Sequence, residues 1–247
     1  MKLIELLKNE IKVSKVLFRS VPGIVMSLYL LSIVLMNLLA SVAIVNTSWL
    51  ALDAGIFVAF VGFLLMDMIV KRFGAKAAIR MTVLGFLVNV GTAILFTVVA
   101  FVAKASGQYY PLADYATLTQ WWIIGASATA FLVSGILDAV VHHVILKAFK
   151  KNKEGIVAHA ASAWGSTFLG QFIDNLLFGL LFTFPASMIG LWGMTPMTLL
   201  ALIGFALAGG VVELVCQVIF TPWGYKVAES WRAQKVGQEY LDLINKN

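Results

Sequence analysis

Apolar residues come in long blocks along this chain, and polar residues gather between them. Six blocks cover residues 23–45, 51–70, 77–103, 121–146, 158–189 and 197–220. A run of about 20 apolar residues, rising 1.5 Å each as a helix, crosses the ~30 Å hydrocarbon core of a bilayer. The pattern therefore predicts an all-α polytopic membrane protein with six transmembrane helices. The fifth block is long, and Pro185 near its end predicts a tilt or a break. Residues 1–22 follow another rhythm. Ile4, Leu7, Ile11 and Phe18 recur near helical spacing, while Lys8, Lys12, Lys15 and Arg19 take other faces. That predicts an amphipathic helix lying in the membrane interface, with gating or partner docking as the alternative role. Residues 23–222 then form the transmembrane domain, and 223–247 a second amphipathic segment.

Composition agrees with this reading. The chain is 61% hydrophobic and 12% charged, against about 25% charged in soluble domains, which leaves no separate soluble domain. A formal charge of +6 suits a nucleic-acid binder, but the placement of the charge excludes one. Of the 18 Lys and Arg, 17 lie at the two ends, around Lys71, Arg72, Lys76 and Arg80, or among Lys147, Lys150, Lys151 and Lys153; Lys104 is left on the other side. By the positive-inside rule both termini are cytoplasmic. The loop holding Tyr109, Tyr110 and Tyr115, followed by Trp121 and Trp122, reads as an interfacial aromatic belt, with a substrate vestibule as the alternative. A single cysteine, Cys216, rules out an internal disulfide.

The candidate chemistry lies in polar residues that a simple span does not need. Asp53, Asp67, Asp138, Asp174 and Glu213 fall in apolar blocks, and Arg80 is the one fixed cation among them. A carboxylate at the bilayer centre costs roughly 2.5–3.5 kcal/mol on insertion scales, so such groups mark proton relays, ion sites or substrate sites, or else bond neighbouring helices. Asp53 opens its helix at the outer mouth. Asp67 reads either as an i,i+4 partner of Lys71 or as a path residue. Asp138 and Glu213 are candidate proton or path residues. Trp164, Phe168, Gln171, Asn175 and Phe178 share one helix face, and Asp174 borders it. Aromatic planes interleaved with amide and carboxylate edges suit a flat, nitrogen-rich ligand. Asn37 and Asn89 sit midway along their blocks, as cavity-lining or helix-bridging groups.

Several chemistries are excluded. His142 and His143 point about 100° apart on a helix, and with only His159 besides, a metal site is not expected. No HExxH, Gly-x-Ser-x-Gly or Walker A motif occurs. No cofactor or enzyme activity is expected. Small-residue pairs such as Gly204–Ala208 and Gly85–Asn89 predict close helix contacts.

Three stretches together resemble a known family. They are Asp67-Met-Ile-Val-Lys-Arg-Phe-Gly74 with Gly85-Phe-Leu-Val-Asn89, then Ala126-Ser-Ala-Thr-Ala-Phe-Leu-Val-Ser134, then Ser166-Thr-Phe-Leu-Gly-Gln171 with Asp174, Phe178 and Thr221-Pro222. In this order they resemble the YhhQ family of queuosine precursor transporters, also called the vitamin uptake transporter family, over roughly residues 60–225. The resemblance implies a six-helix carrier importing 7-deazaguanines, such as 7-cyano- and 7-aminomethyl-7-deazaguanine, by secondary transport. It also implies a likeness to the substrate-binding subunits of energy-coupling-factor transporters; the alternative is such a subunit, for another nucleobase, nucleoside or vitamin, needing separate ATPase partners. Asp174, Gln171 and Asn175 would read the edge of the heterocycle, Trp164, Phe168 and Phe178 its face, and Asn89 would line the path. The implied partners are a nucleobase-like small molecule and membrane lipid, without nucleic acid and with room for a homo-oligomer. Within the pattern this chain carries Lys71, Ser162, Glu213 and Gln217 where the family commonly has an acidic residue, an arginine, a basic residue and an acidic one.

Overall fold

The computed structural model describes residues 2–39, 43–46, 51–107, 112–149, 154–193, 196 and 198–246. Lys150, Lys151, Lys153, Tyr109 and Tyr110 lie outside the described residues, as do the side chains of Leu7 and Asp53. The chain runs through α1 (Lys2–Ser20), α2 (Gly23–Leu39), a short hairpin of β1 (Ala43–Asn46) and β2 (Ala51–Asp53), α3 (Ile56–Phe73) and α4 (Ala75–Ala105). It continues through α5 (Leu118–Ala148), α6 (Ile156–Phe178), α7 (Phe184–Met188), α8 (Leu199–Ala233) and α9 (Gln238–Asn245).

The fold is helical, and among the described residues four helical runs are long and apolar enough to cross a membrane: Ala75–Ala105, Leu118–Ala148, Ile156–Met188 and Leu199–Ala233. The bent pair Lys8–Ser20 and Gly23–Leu39 makes a fifth when counted as one crossing. Two of the six expected spans fall short for physical reasons. α2 has only 17 residues, and the 18 residues of α3 include Asp67, Lys71 and Arg72. The expected span at 23–45 is cut because 43–46 pairs antiparallel with 51–53, in the register Ala43↔Asp53, Val45↔Leu52 and Asn46↔Ala51. A short β-branched apolar run fits a strand as well as a helix.

Side chains facing outward are those a bilayer tolerates. Ile24, Leu87, Leu95, Phe101, Val144 and Ile219 are each more than half exposed, far more apolar surface than a water-soluble monomer presents. The polar end of the bundle is built from the two termini. The residue before Pro22 is disfavoured in a helix, and α1 meets α2 at 106°. From there α1 packs on α9, and Arg80 of α4 joins both, through Glu10 at 2.6 Å and the Tyr240 hydroxyl at 3.2 Å. The Lys and Arg of α1, of the α3–α4 turn and of late α8 thus gather at one end, and Lys104 sits in the last turn of α4 at the other.

Gly237 starts α9 at φ +66°, and a Cβ there would lie 2.3 Å from Phe73 Cε1 and 3.1 Å from Ser20 Cβ. Gly237→Ala is expected to lower stability by about 1–3 kcal/mol, from left-handed strain plus overpacking. A fall in melting temperature checks this; an unchanged one would mean the C-terminal helix is not docked here.

Of the two prolines inside helical segments, Pro185 acts as expected and Pro222 does not. The fifth span does break near Pro185, as a π-helical stretch over Gly179–Thr183 before α7. Pro185 has no N–H for the carbonyl of Leu181, and Trp122 Nε1 donates to that carbonyl at 2.9 Å. Pro222, expected at the end of the sixth span, lies inside α8, which runs on to Ala233. Thr221 donates its hydroxyl to Gln217 O at 2.6 Å one residue before it, whereas the carbonyl that Pro222 leaves without an N–H is that of Val218.

Other sequence expectations are redrawn. Tyr115 is buried edge-on against Phe96 at 5.2 Å instead of standing in an interfacial belt. Gly85 does make a close contact, with Ile33 and Tyr29, but Gly204 has nothing within 4 Å. Asn37 bonds Ile33 O at 2.9 Å and accepts from Ser127 at 3.2 Å, bridging α2 and α5.

Candidate functional site

The tightest packing in the bundle joins α5 to α6 and α6 to α8. On α6, Ala158, Ser162, Ser166 and Gly170 recur every fourth residue, all buried. Small residues at that spacing let helix backbones approach: a Cβ on Gly170 would sit 3.2 Å from Asp138 Cβ and 3.6 Å from Ser134 O. The facing stripe on α5 is Ser134, Asp138 and His142, also every fourth residue and also buried. Two rows of polar groups therefore meet face to face inside the bundle.

The rows form a ladder. At the first rung Ser134 Oγ donates to Asp174 Oδ1 at 2.7 Å. At the second, Asp138 meets the Ser166 hydroxyl, while its Oδ1 has no partner among the described residues. At the third, His142 Nε2 lies 3.3 Å from Ser162 Oγ, and His142 Nδ1 lies 2.7 Å from Asp67 Oδ1 of α3. Gln217 Nε2 of α8 donates to Asp67 Oδ2. The rungs are about 6 Å apart, four residues at 1.5 Å each.

The ladder reassigns Asp67. It is fully buried and bonded to His142 and Gln217 instead of pairing with Lys71. Lys71 turns to Glu229 at 3.1 Å.

The expected stripe on α6 is partly dispersed. Gln171, Asp174 and Asn175 lie near the middle of the helical run Ile156–Met188. Asp174 faces α5, whereas Asn175 faces α8, where a Cβ on Gly209 would come within 2.8 Å of its Nδ2. Phe168 packs against Gly210 of α8. Trp164 Nε1 donates to Thr221 Oγ1 of α8 at 3.0 Å, with the ring partly exposed. Phe178 stacks on Phe182 at 5.7 Å, beside Ala126 and Ala186. Asn89 is buried on α4, whose main neighbours are α2, α3 and α5, so it does not join the α6 stripe. Glu213 is half-buried on α8, four residues before Gln217.

Two amides near Asp174 stand out. Gln171 Nε2 and Asn175 Nδ2 are buried and have no hydrogen-bond partner among the described residues. Native proteins satisfy most buried polar atoms, so these two donors, three residues and one residue from Asp174 along α6, carry unmet hydrogen-bonding capacity. A narrow cleft of about 20 Å³, lined by Tyr29, Ser32, Thr82, Phe131, Gly135 and Asp138, reaches the ladder from its α2–α4 side. That is room for about one water. Of the expected residues only Asp138 lines it. No group of three His, Cys, Asp or Glu that could hold a metal occurs among the described residues.

Sequence reading missed Ser134, His142, Ser162 and Gln217 as partners of the acidic residues. The signal was present as the four-residue spacing Ser134, Asp138, His142, opposite Ser162, Ser166 and Gly170. Two positions marked as departures from the family pattern, Ser162 and Gln217, are the ones that complete the Asp67–His142 cluster.

A family model described as "Putative vitamin uptake transporter" matches residues 53–227, more than two thirds of the chain. The match contains every residue of the ladder. No curated protein and no solved structure matches the chain.

Proposed function

The chain belongs to the vitamin uptake transporter family, and from that premise we propose that it imports queuosine precursors, the 7-deazaguanines, by secondary transport. The family is one of transporters, not of enzymes. The observation that carries the reading is the pair of buried amides without partners among the described residues, Gln171 and Asn175, three residues and one residue from Asp174 at the middle of α6. Gln171 Nε2 and Asn175 Nδ2 offer two buried donors, and Asp174 offers an acceptor. A deazaguanine presents the complement: N–H donors for a carboxylate and a carbonyl for an amide N–H. Trp164, Phe168 and Phe178 supply aromatic faces on the same helix. Entry of a purine-sized ring requires α8 to part from α6, because Phe168 and Asn175 are packed on Gly210 and Gly209.

In this reading α2, α3, α4, α5, the Ile156–Met188 run and α8 make six crossings. The end that carries both termini and the gathered Lys and Arg faces the cytoplasm, and α1 and α9 lie along that face. Uptake of labelled 7-cyano-7-deazaguanine into proteoliposomes holding this chain alone tests the proposal. Saturable uptake without nucleotide is expected. Uptake only after addition of ATPase subunits would replace the reading with that of a substrate-binding subunit, and binding only of a vitamin would replace the substrate.

A further inference from the structure

His142 is a ladder residue that the substrate reading leaves without a task, and its surroundings are specific. Ser162 Oγ lies 2.8 Å from Ala158 O and 2.9 Å from His159 O. Its single hydroxyl proton is thus engaged on backbone carbonyls, and toward His142 Nε2 it presents a lone pair. On the other side Asp67 presents carboxylate oxygen to Nδ1. Both ring nitrogens therefore face acceptors, the environment of a doubly protonated imidazolium.

A chain of side chains leads from this pair to the polar end. His159 of α6 is fully buried, its ring 5.6 Å from that of His142 and 5.8 Å from that of Tyr225, centre to centre. Neither His159 nitrogen has a partner among the described residues. Tyr225 donates to Glu154 O at 2.9 Å and lies under Lys71 Nζ, 4.6 Å from the ring centre. Lys71 in turn lines a cavity of about 270 Å³ with Arg72, Leu146, Glu154, Glu229 and Arg232. Lys71 pairs there with Glu229 and Arg232 with Glu154, whose carboxyl Arg232 holds below its ordinary range, and Arg72 adds a third cation.

We propose that His142 and Asp67 form the proton-binding site that couples transport, and that His159 connects it to the cavity at the polar end. This rests on the transport reading. In the loaded state His142 carries both ring protons opposite ionised Asp67. On unloading, the Nε2 proton passes to His159, which takes it at one ring nitrogen and releases one from the other toward the cavity. Ser162 then turns its hydroxyl from a backbone carbonyl to the bare Nε2, so that this nitrogen of His142 keeps a partner. The groups facing the pair fit these roles. Asp67 and Lys71 come from α3, Asp138 from α5, His159 and Ser162 from α6, and Gln217, Tyr225 and Glu229 from α8. Neither nitrogen of His159 meets a carboxylate, whereas His142 Nδ1 does, so His142 is the group that keeps the proton and His159 the one that passes it on. Asp138 lies one turn further on and Ser134 another. Proton occupancy at His142 is thereby linked to Asp174 across about 12 Å of one rigid helix.

The test uses the full chain in proteoliposomes and two measurements. His142→Asn keeps an N–H donor for Asp67 but has no second proton to give. Accumulation driven by a pH gradient is expected to fall at least tenfold further than substrate exchange at equal pH, and His159→Gln should slow the gradient-driven mode alone. Equal effects of His142→Asn on both modes would overturn the proposal. The second measurement needs no substrate: potentiometric titration of purified protein between about pH 4 and 10, a range that contains ordinary and perturbed histidines. The variant should bind one proton fewer than the parent, and equal proton counts would overturn the proposal whether or not a deazaguanine is carried. If exchange is absent from the parent as well, the substrate reading fails while the titration still decides the proton site. Should His142→Asn not fold, His142→Gln is titrated in its place, with the same expected difference.

Discussion

Replacing Asp67 with alanine is expected to remove most of the folded protein. Asp67 is wholly buried, and both its oxygens are used, one by His142 Nδ1 at 2.7 Å and the other by Gln217. Truncation leaves an imidazole and an amide without partners inside the bundle. Each unpaired polar group costs about 1–3 kcal/mol, and removing one member of a buried charged pair costs about 3–5 kcal/mol. Against a total stability of about 5–15 kcal/mol, a loss of that size empties the monodisperse peak in size-exclusion chromatography or shifts the melting curve far down. Asp67→Asn keeps an acceptor toward His142 and should recover much of the folded fraction. An alanine variant as stable as the parent would mean that the Asp67–His142–Gln217 cluster does not hold α3, α5 and α8 together.

Replacing Asp174 with asparagine should leave the protein folded and stop uptake. The amide oxygen can still accept from Ser134, which now bonds Asp174 Oδ1 at 2.7 Å, so the first rung survives. What disappears is the charged acceptor for a ligand N–H. A hydrogen bond to a charged group contributes about 1.5–3 kcal/mol, or roughly ten- to hundredfold in affinity. Initial uptake at low substrate should drop by that factor with melting temperature unchanged. Unchanged uptake would remove Asp174 from the site.

The long helices were legible because hydropathy alone defines them. The blocks at 77–103, 121–146 and 158–189 became Ala75–Ala105, Leu118–Ala148 and Ile156–Met188, each within three residues of the expected bounds. The hairpin was not legible, because three apolar residues and an asparagine carry no length signal, and Pro222 misled because α8 continues through it to Ala233. At the site, the depth of Asp174 and its place on α6 followed from spacing. Its partner did not, because helix register between α5 and α6 is set by the small residues Ser162, Ser166 and Gly170 on one side and by Ser134 and Asp138 on the other. A single-helix view cannot supply that register. It placed Trp164, Phe168 and Asn175 on one face, correctly, but could not tell that α8 covers that face. His142 was weighed only as a metal ligand, and its four-residue step from Asp138 points instead to a hydrogen-bonded role.

The most direct test of the substrate site is calorimetric titration of 7-cyano-7-deazaguanine into the purified full chain, beside Asp174→Asn and a panel of guanine, guanosine and vitamins. Saturable binding of one deazaguanine per chain, weakened roughly ten- to hundredfold in the variant, is the expected result. Equal binding by both proteins, or no binding of any deazaguanine or purine, would contradict a site formed by Gln171, Asp174 and Asn175.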